Sequence, residues 1–175
     1  KFDEGTDTRA NFYTGYGKEI PDILTYTSGG YKSMKYRNIN ADGSAAQDPG
    51  FVDTDFPIFR TADAYLMLAE CAARGAADKT EGLAALNAVR TRAGLAETAD
   101  LSLQSVLDER ARELYHELVR RQDLVRFNQF TTADYLWDYK GGEKGGKAVD
   151  ARFNIYPLCS SDVNANSKLT QNPGY

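Results

Sequence analysis

The chain has 175 residues, 42% of them hydrophobic and 26% charged, which is room for one domain of ordinary size with its own core. Lys and Arg number 21 against 25 Asp and Glu, and the net charge of −4 lacks the electrostatic footprint of a nucleic-acid-binding protein. One histidine and two cysteines, Cys71 and Cys159, exclude a zinc centre and a disulfide framework, and no run of 18 apolar residues is present to span a bilayer.

The opening, Lys1 to Gly5, holds neither a charged-then-apolar leader nor a lipid-acceptor cysteine. That leaves a cytosolic chain or one whose targeting segment has been removed. Residues 1–58 are rich in Tyr, Gly, Asp and Thr without a sustained period, and predict a loop-rich entry with short strands or turns. One β-like run, Ile23-Leu24-Thr25-Tyr26-Thr27, is bounded by Pro21 and by Gly29-Gly30. Asn38-x-Asn40-x-Asp42-Gly43 imitates the start of a calcium loop, but Pro49 stands at the twelfth position, where a bidentate Glu is required. A turn built on Asp42-Gly43 is the reading, with a looser calcium site as its alternative.

Residues 59–127 predict a helical core. A first helix from Arg60 to Arg74 carries the stripe Ala62, Tyr65, Leu66, Ala69 and Ala73, and Gly75 follows at the position where a left-handed residue ends a helix. Cys71 lies among alanines and reads as a small buried hydrophobe. A second helix from Thr80 to Ala93, capped by Thr80, buries Leu83, Leu86, Val89 and Ala93, and Gly94-Leu95 forms its stop. Small residues such as Ala69, Ala72, Ala73, Ala84, Ala85 and Ala88 let the two pack closely, as in a tetratricopeptide-type hairpin. No second copy recurs at a period of about 34 residues, so other segments must cover this pair.

A third helix, capped by Ser102 or Ser105, runs on through Val106, Leu107, Ala111, Leu114, Leu118 and Val125. Its charged face predicts i,i+4 pairs between Asp108 and Arg112 and between Glu117 and Arg121. Glu109, Glu113 and Glu117 share one face, and two of them could serve as the acid and base of glycoside hydrolysis. The interleaved Arg110, Arg112, Arg120 and Arg121 favour ionised, paired carboxylates instead. His116, mid-helix in this reading, has no nucleophile in a recognisable setting and reads as solvent-facing or ion-paired.

Residues 128–175 return to turn chemistry. Gly141-Gly142-Glu143-Lys144-Gly145-Gly146-Lys147 fits a phosphate-loop pattern by letter, but Ala148 follows and neither strand nor helix flanks it, so it predicts a surface loop. Aromatics are the remaining signal: 11 Tyr, 8 Phe and 1 Trp. Several sit in loops beside polar residues, Tyr13 and Tyr16, Tyr26 and Tyr31, Trp137 and Tyr139. Rings with an apolar body and polar tip suit the C–H faces and hydroxyls of sugars. Trp137 and Tyr139, followed by the Gly-rich loop, are the first ligand candidates, with Tyr13 and Tyr16 next; core packing is the competing role.

The run Phe56-Pro57-Ile58-Phe59-Arg60-Thr61-Ala62-Asp63-Ala64-Tyr65-Leu66 through Glu70 resembles the core signature of the SusD/RagB family. Leu86-Asn87-Ala88-Val89-Arg90 through Leu95, Glu109-Arg110 through Arg126, Tyr156-Pro157, and Leu169-Thr170-Gln171-Asn172-Pro173-Gly174-Tyr175 resemble its later signatures in order, and Asp7-x-Arg9 fits near the start. Leu118 and Arg121 stand where the family often has Gly and Trp, and Cys159 replaces a usual Pro. The resemblance implies the C-terminal part of one mainly α, SusD-like domain over 1–175: a tetratricopeptide-type hairpin and a long charged helix, wrapped by irregular loops with little strand. Its three zones would be a loop-rich entry (1–58), a helical core (59–127) and a C-terminal wrap (128–175).

The resemblance further implies non-catalytic capture of a nutrient, above all an oligosaccharide, by a lipoprotein of the outer membrane in Bacteroidetes. Such a protein passes its ligand to a SusC-like TonB-dependent porin. It uses no cofactor, metal or nucleic acid, and meets the membrane only through an N-terminal lipid anchor lying outside this chain. Two other classes compete: a tetratricopeptide-like protein-interaction module, and a glycoside-active enzyme that would depend on Glu109 or Glu113.

Overall fold

A computed structural model describes residues 1–20 and 29–175, so the run at 23–27 with its Tyr26 lies outside the described residues. The fold is mainly α-helical, and the chain divides into two compact units, 1–118 and 119–175. In the first unit, strand β1 (Phe12–Tyr13) pairs antiparallel with β2 (Lys32–Ser33), Phe12 opposite Ser33. The turn at Asp42-Gly43 forms as the sequence predicts: Gly43 has φ +86° and the Ser44 amide donates to Asp42 Oδ1 at 2.9 Å.

Helix α1 (Thr61–Ala73) packs antiparallel-hairpin fashion on α2 (Lys79–Arg92), and both meet α3 (Leu103–Glu113). The buried face of α1 centres on Leu66, Ala69 and Ala72, while Tyr65 of the predicted stripe is 45% exposed. Cys71 is exposed, not buried: at 3.6 residues per turn it points about 140° away from Leu66. Among the small residues, Ala69, Ala72 and Ala85 are buried and Ala84 and Ala88 are exposed. The closest approach is at Gly82, where a Cβ would lie 2.2 Å from the Ala72 Cβ.

The start of α2 differs from the sequence expectation. Asp78, not Thr80, is the cap, accepting from the Thr80 and Glu81 amides. Both predicted stops hold: Gly75 and Gly94 take φ of +81° and +82°, and the Ala76 and Leu95 amides reach back to Cys71 O and Arg90 O at 2.8 and 3.0 Å. Ser102 caps α3 through the Ser105 amide.

The predicted long third helix is two pieces, α3 and then α4 (Arg120–Arg126) in the second unit. The carbonyls that would carry the helix onward are taken by side chains: Lys35 Nζ donates to Glu113 O at 2.8 Å and to Tyr115 O at 2.9 Å, and Arg60 Nη2 to Glu113 O at 3.2 Å. With those acceptors occupied the i→i−4 ladder stops. His116 and Leu118 then take left-handed φ of 61° and 63°, leaving Leu118 82% exposed instead of on an apolar face. His116 is solvent-facing, in a turn and not mid-helix. The predicted i,i+4 pairs do not form either: Asp108 pairs with Lys1, Glu117 with Lys35 and Arg60, and Arg121 donates to Phe153 O.

The second unit holds α4, short 3-10 turns at Lys140–Gly142 and Ala151–Asn154, and α5 (Ser160–Ala165). No helix among the described residues is long and apolar enough to cross a membrane.

Candidate functional site

Two side-chain assemblies stand out, one in each unit. In the first, Asp7 and Arg9 form a two-pronged pair, with Arg9 Nε and Nη2 donating to the Asp7 carboxylate at 2.8 and 2.9 Å. Arg9 Nη1 also sits 2.7 Å from Glu109 Oε1 and 3.0 Å from Glu113 Oε2. Glu113, 3% exposed, takes Arg60 at 2.9 Å and Arg92 at 2.6 Å; Glu109, fully buried, takes Arg90 at 3.1 Å and also Arg112. Arg110 pairs with Asp63 of α1 at 2.8 Å. Burial alone would raise the Glu113 pKa, but hydrogen bonds from Arg9 and Arg60 and the field of Arg92 hold it below the usual carboxylate range. The three glutamates thus belong to an ion-pair network whose cations come chiefly from other segments, and Glu113 is the opposite of a raised-pKa general acid.

In the second unit the architecture converges on a cavity of about 570 Å³. Helix α4 presents Arg121, and the chain then turns so that the Gln129 and Phe130 amides both reach Leu124 O, at 2.7 and 3.0 Å. Phe130 stacks on Trp137, centroids 6.0 Å apart at 28°. Lys140 ties the intervening loop, Nζ donating to Thr132 O at 2.6 Å and Tyr135 O at 2.7 Å. The Gly-rich stretch folds back onto this loop: a Cβ on Gly146 would lie 2.4 Å from Trp137 O. The stretch is a turn followed by irregular chain, not by an α-helix whose N-terminus could meet a phosphate.

The far wall is the segment 152–157, and the C-terminal motif is what holds it. The Tyr175 hydroxyl lies within hydrogen-bond reach of both Arg152 O and Ile155 O, at 3.2 and 2.9 Å, and its one proton serves the two carbonyls between them; Asn172 Nδ2 donates to Tyr156 O at 2.7 Å, and Gln171 bonds both backbone groups of Leu158 at 2.8 and 2.9 Å. Tyr156 projects from this strip, 69% exposed, with the Arg121 guanidinium 3.9 Å from its ring centroid. Phe153 and Tyr175 meet edge to face.

Of the sequence candidates, Trp137 lines the cavity and is 39% exposed. Tyr139 is adjacent in sequence, with φ 65°, but does not line it. Tyr13 and Tyr16 belong to the first unit, where they form an edge-to-face pair at 5.4 Å with exposures of 48% and 52%. Sequence reasoning missed Arg121, Lys140 and Tyr156. Their signal was the alternation of cations with aromatics in 121–175, masked by the fact that Tyr156 and Tyr175 also belong to a recurrent motif. Among the described residues no group of three metal-ligating side chains gathers.

The model of the SusD family matches residues 4–175. The chain belongs to the SusD family. It is 40% identical to the starch-binding protein SusD of Bacteroides thetaiotaomicron over 174 residues, covering 97% of this chain and 31% of that protein. Among solved SusD-like structures, surface glycan-binding protein A from Bacteroides uniformis is 26% identical with a TM-score of 0.65, covering 98% of this chain and 38% of that one. Surface glycan-binding protein A from Bacteroides thetaiotaomicron, solved with laminarihexaose, shares the fold at 24% identity and a TM-score of 0.71, covering 95% of this chain and 38% of that one. The chain therefore spans about a third of the length of its SusD relatives.

Proposed function

We propose that this chain is the C-terminal part of a non-catalytic glycan-binding protein. In this reading the protein is lipid-anchored at the outer face of the outer membrane and hands oligosaccharide to a SusC-like TonB-dependent porin. The observation that carries the reading is an aromatic-walled cavity of about 570 Å³ in a chain 40% identical to a starch-binding protein. That volume falls in the range of small-ligand sites, roughly 300–1,000 Å³, and its rings suit the C–H faces of sugars. Trp137 and Tyr156 are the stacking residues, and Tyr13 with Tyr16 form a separate candidate surface. Lack of catalysis is supported by the pairing of Glu109 and Glu113 and by a cavity lining without Asp or Glu. The surface location, anchor and porin partner rest on family membership.

Calorimetric titration of the intact protein with a polysaccharide panel, while assaying reducing ends, tests this. Binding without turnover, weakened at least about tenfold by Tyr156→Ala, is expected. Release of reducing ends, or binding of no saccharide, would reject it. A second reading, a protein-interaction module, draws on Phe51, Val52, Ile58 and Phe59, which are 73–89% exposed in one short segment. It predicts capture of the transporter without affinity for sugars.

A further inference from the structure

We propose that the cavity of the second unit takes an anionic sugar residue, bearing a carboxylate or a sulfate ester, with Arg121 and Lys140 as its countercharge. This rests on the glycan-binding reading above and narrows its ligand class. The lining contains these two cations and no acidic side chain. Among the described residues no carboxylate lies within ion-pair distance of either.

Lys140 is the more telling of the two, since it is only 2% exposed. Its ammonium has three N–H groups; the carbonyls of Thr132 and Tyr135 accept two, and no described residue accepts the third. The Trp137 ring lies 4.8 Å away. Carbonyl dipoles and a ring face satisfy directions of donation but leave the net charge standing. Burial accordingly draws the Lys140 pKa below the ordinary lysine value, with the more distant Asp134 opposing.

Arg121 is in the same position. It donates to Phe153 O at 2.7 Å and lies 5.0 Å from the Phe130 centroid and 3.9 Å from that of Tyr156. A sugar stacked on Tyr156 or Trp137 would bring a ring substituent beside uncompensated positive charge in an apolar recess, where the attraction exceeds its value in water several-fold. A neutral sugar gains the stacking alone. The unit also has the right sign to draw an anion in. Residues 119–175 hold 8 Lys and Arg against 6 Asp and Glu, a net +2 inside a chain of net −4.

The test is calorimetry of the intact protein with an oligogalacturonate, a sulfated galacto-oligosaccharide and a malto-oligosaccharide of equal length, at about 50 and about 500 mM NaCl. At low salt one anionic ligand should bind at least about tenfold tighter than the neutral one, and high salt should narrow the preference without reversing it, since partly buried charges are screened less than exposed ones. The two anionic arms tell carboxylate from sulfate. Arg121→Gln should reduce the preference, and so should Lys140→Met. Because Lys140 is buried, the half-buried Arg121 and the salt series keep the test decisive if Lys140→Met does not fold. Equal or tighter binding of the neutral ligand overturns the proposal while leaving glycan binding intact. A preference that survives both substitutions places the anion elsewhere and also overturns it. Binding of no saccharide removes the underlying reading itself.

Discussion

In the first unit Arg9, Arg60, Arg90 and Arg92 end on the carboxylates of Glu109 and Glu113, whereas around the cavity of the second Arg121, Lys140 and Arg152 end on carbonyl oxygens and aromatic rings. Both arrangements satisfy donors. Only the first cancels charge. A closed network of this kind is a structural device: it fastens Asp7-x-Arg9 and the residue before α1 onto α3, and through Lys35 and Arg60 it sets where α3 stops. Cations backed by rings and dipoles stay positive toward whatever enters the cavity. The contrast teaches that hydrogen-bond satisfaction and charge neutrality are separate conditions, and that the lining of a cavity can meet one while leaving the other open.

Removing the shared carboxylate should give the largest effect. Glu113→Ala leaves Arg9, Arg60 and Arg92 without their common partner, a loss of about 3–5 kcal/mol by urea denaturation. A change under about 1 kcal/mol would mean that the network carries no more than surface pairs do. Acid should remove part of the same increment. The Glu113 and Asp7 pKa values are both held below their ordinary values by arginines, against the burial that would raise them. Their contribution is therefore complete above the unfolded carboxylate range, near about pH 4–4.5, and is lost as pH falls through the folded values. The stability gap between wild type and Glu113→Gln should shrink below that range; a constant gap would break the assignment.

Arg121→Leu should matter far less to stability, about 0.5–2 kcal/mol for the lost stacking on Tyr156 and Phe130. A loss matching that of Glu113→Ala would show that the cavity cations are structural as well. The smallest effect belongs at the end of the first unit. Leu118→Gly removes a side chain that is 82% exposed on a backbone at φ 63°, and should stabilise by up to about 1 kcal/mol in thermal melts.

Much of the fold could be read from the sequence because its signals are local. Gly75 and Gly94 mark helix ends through their own φ, and Ser102 caps within four residues. The end of α3 was not legible, since Lys35 and Arg60, which take its carbonyls, lie more than 50 residues away in the chain. The same holds for the glutamates: their pairing with cations followed from nearby arginines, yet most of the cations they meet are from other segments. At the cavity, Trp137 was visible as a loop aromatic before glycines. Tyr156 was not, because only the fold seats Arg121 behind it. Tyr139 shows the converse, since adjacency to Trp137 does not carry a side chain into the same cavity.

The contact between Gly82 and Ala72 sets a limit of a different kind. With 2.2 Å available to a Cβ, even alanine at position 82 would force α1 and α2 apart, at roughly 1–3 kcal/mol. Two residues on, Ala84 faces solvent. In a library saturating α2 and sorted for folded protein, position 82 should return almost nothing but glycine while position 84 tolerates most side chains. The width of the helix pair is thus encoded in a single hydrogen atom.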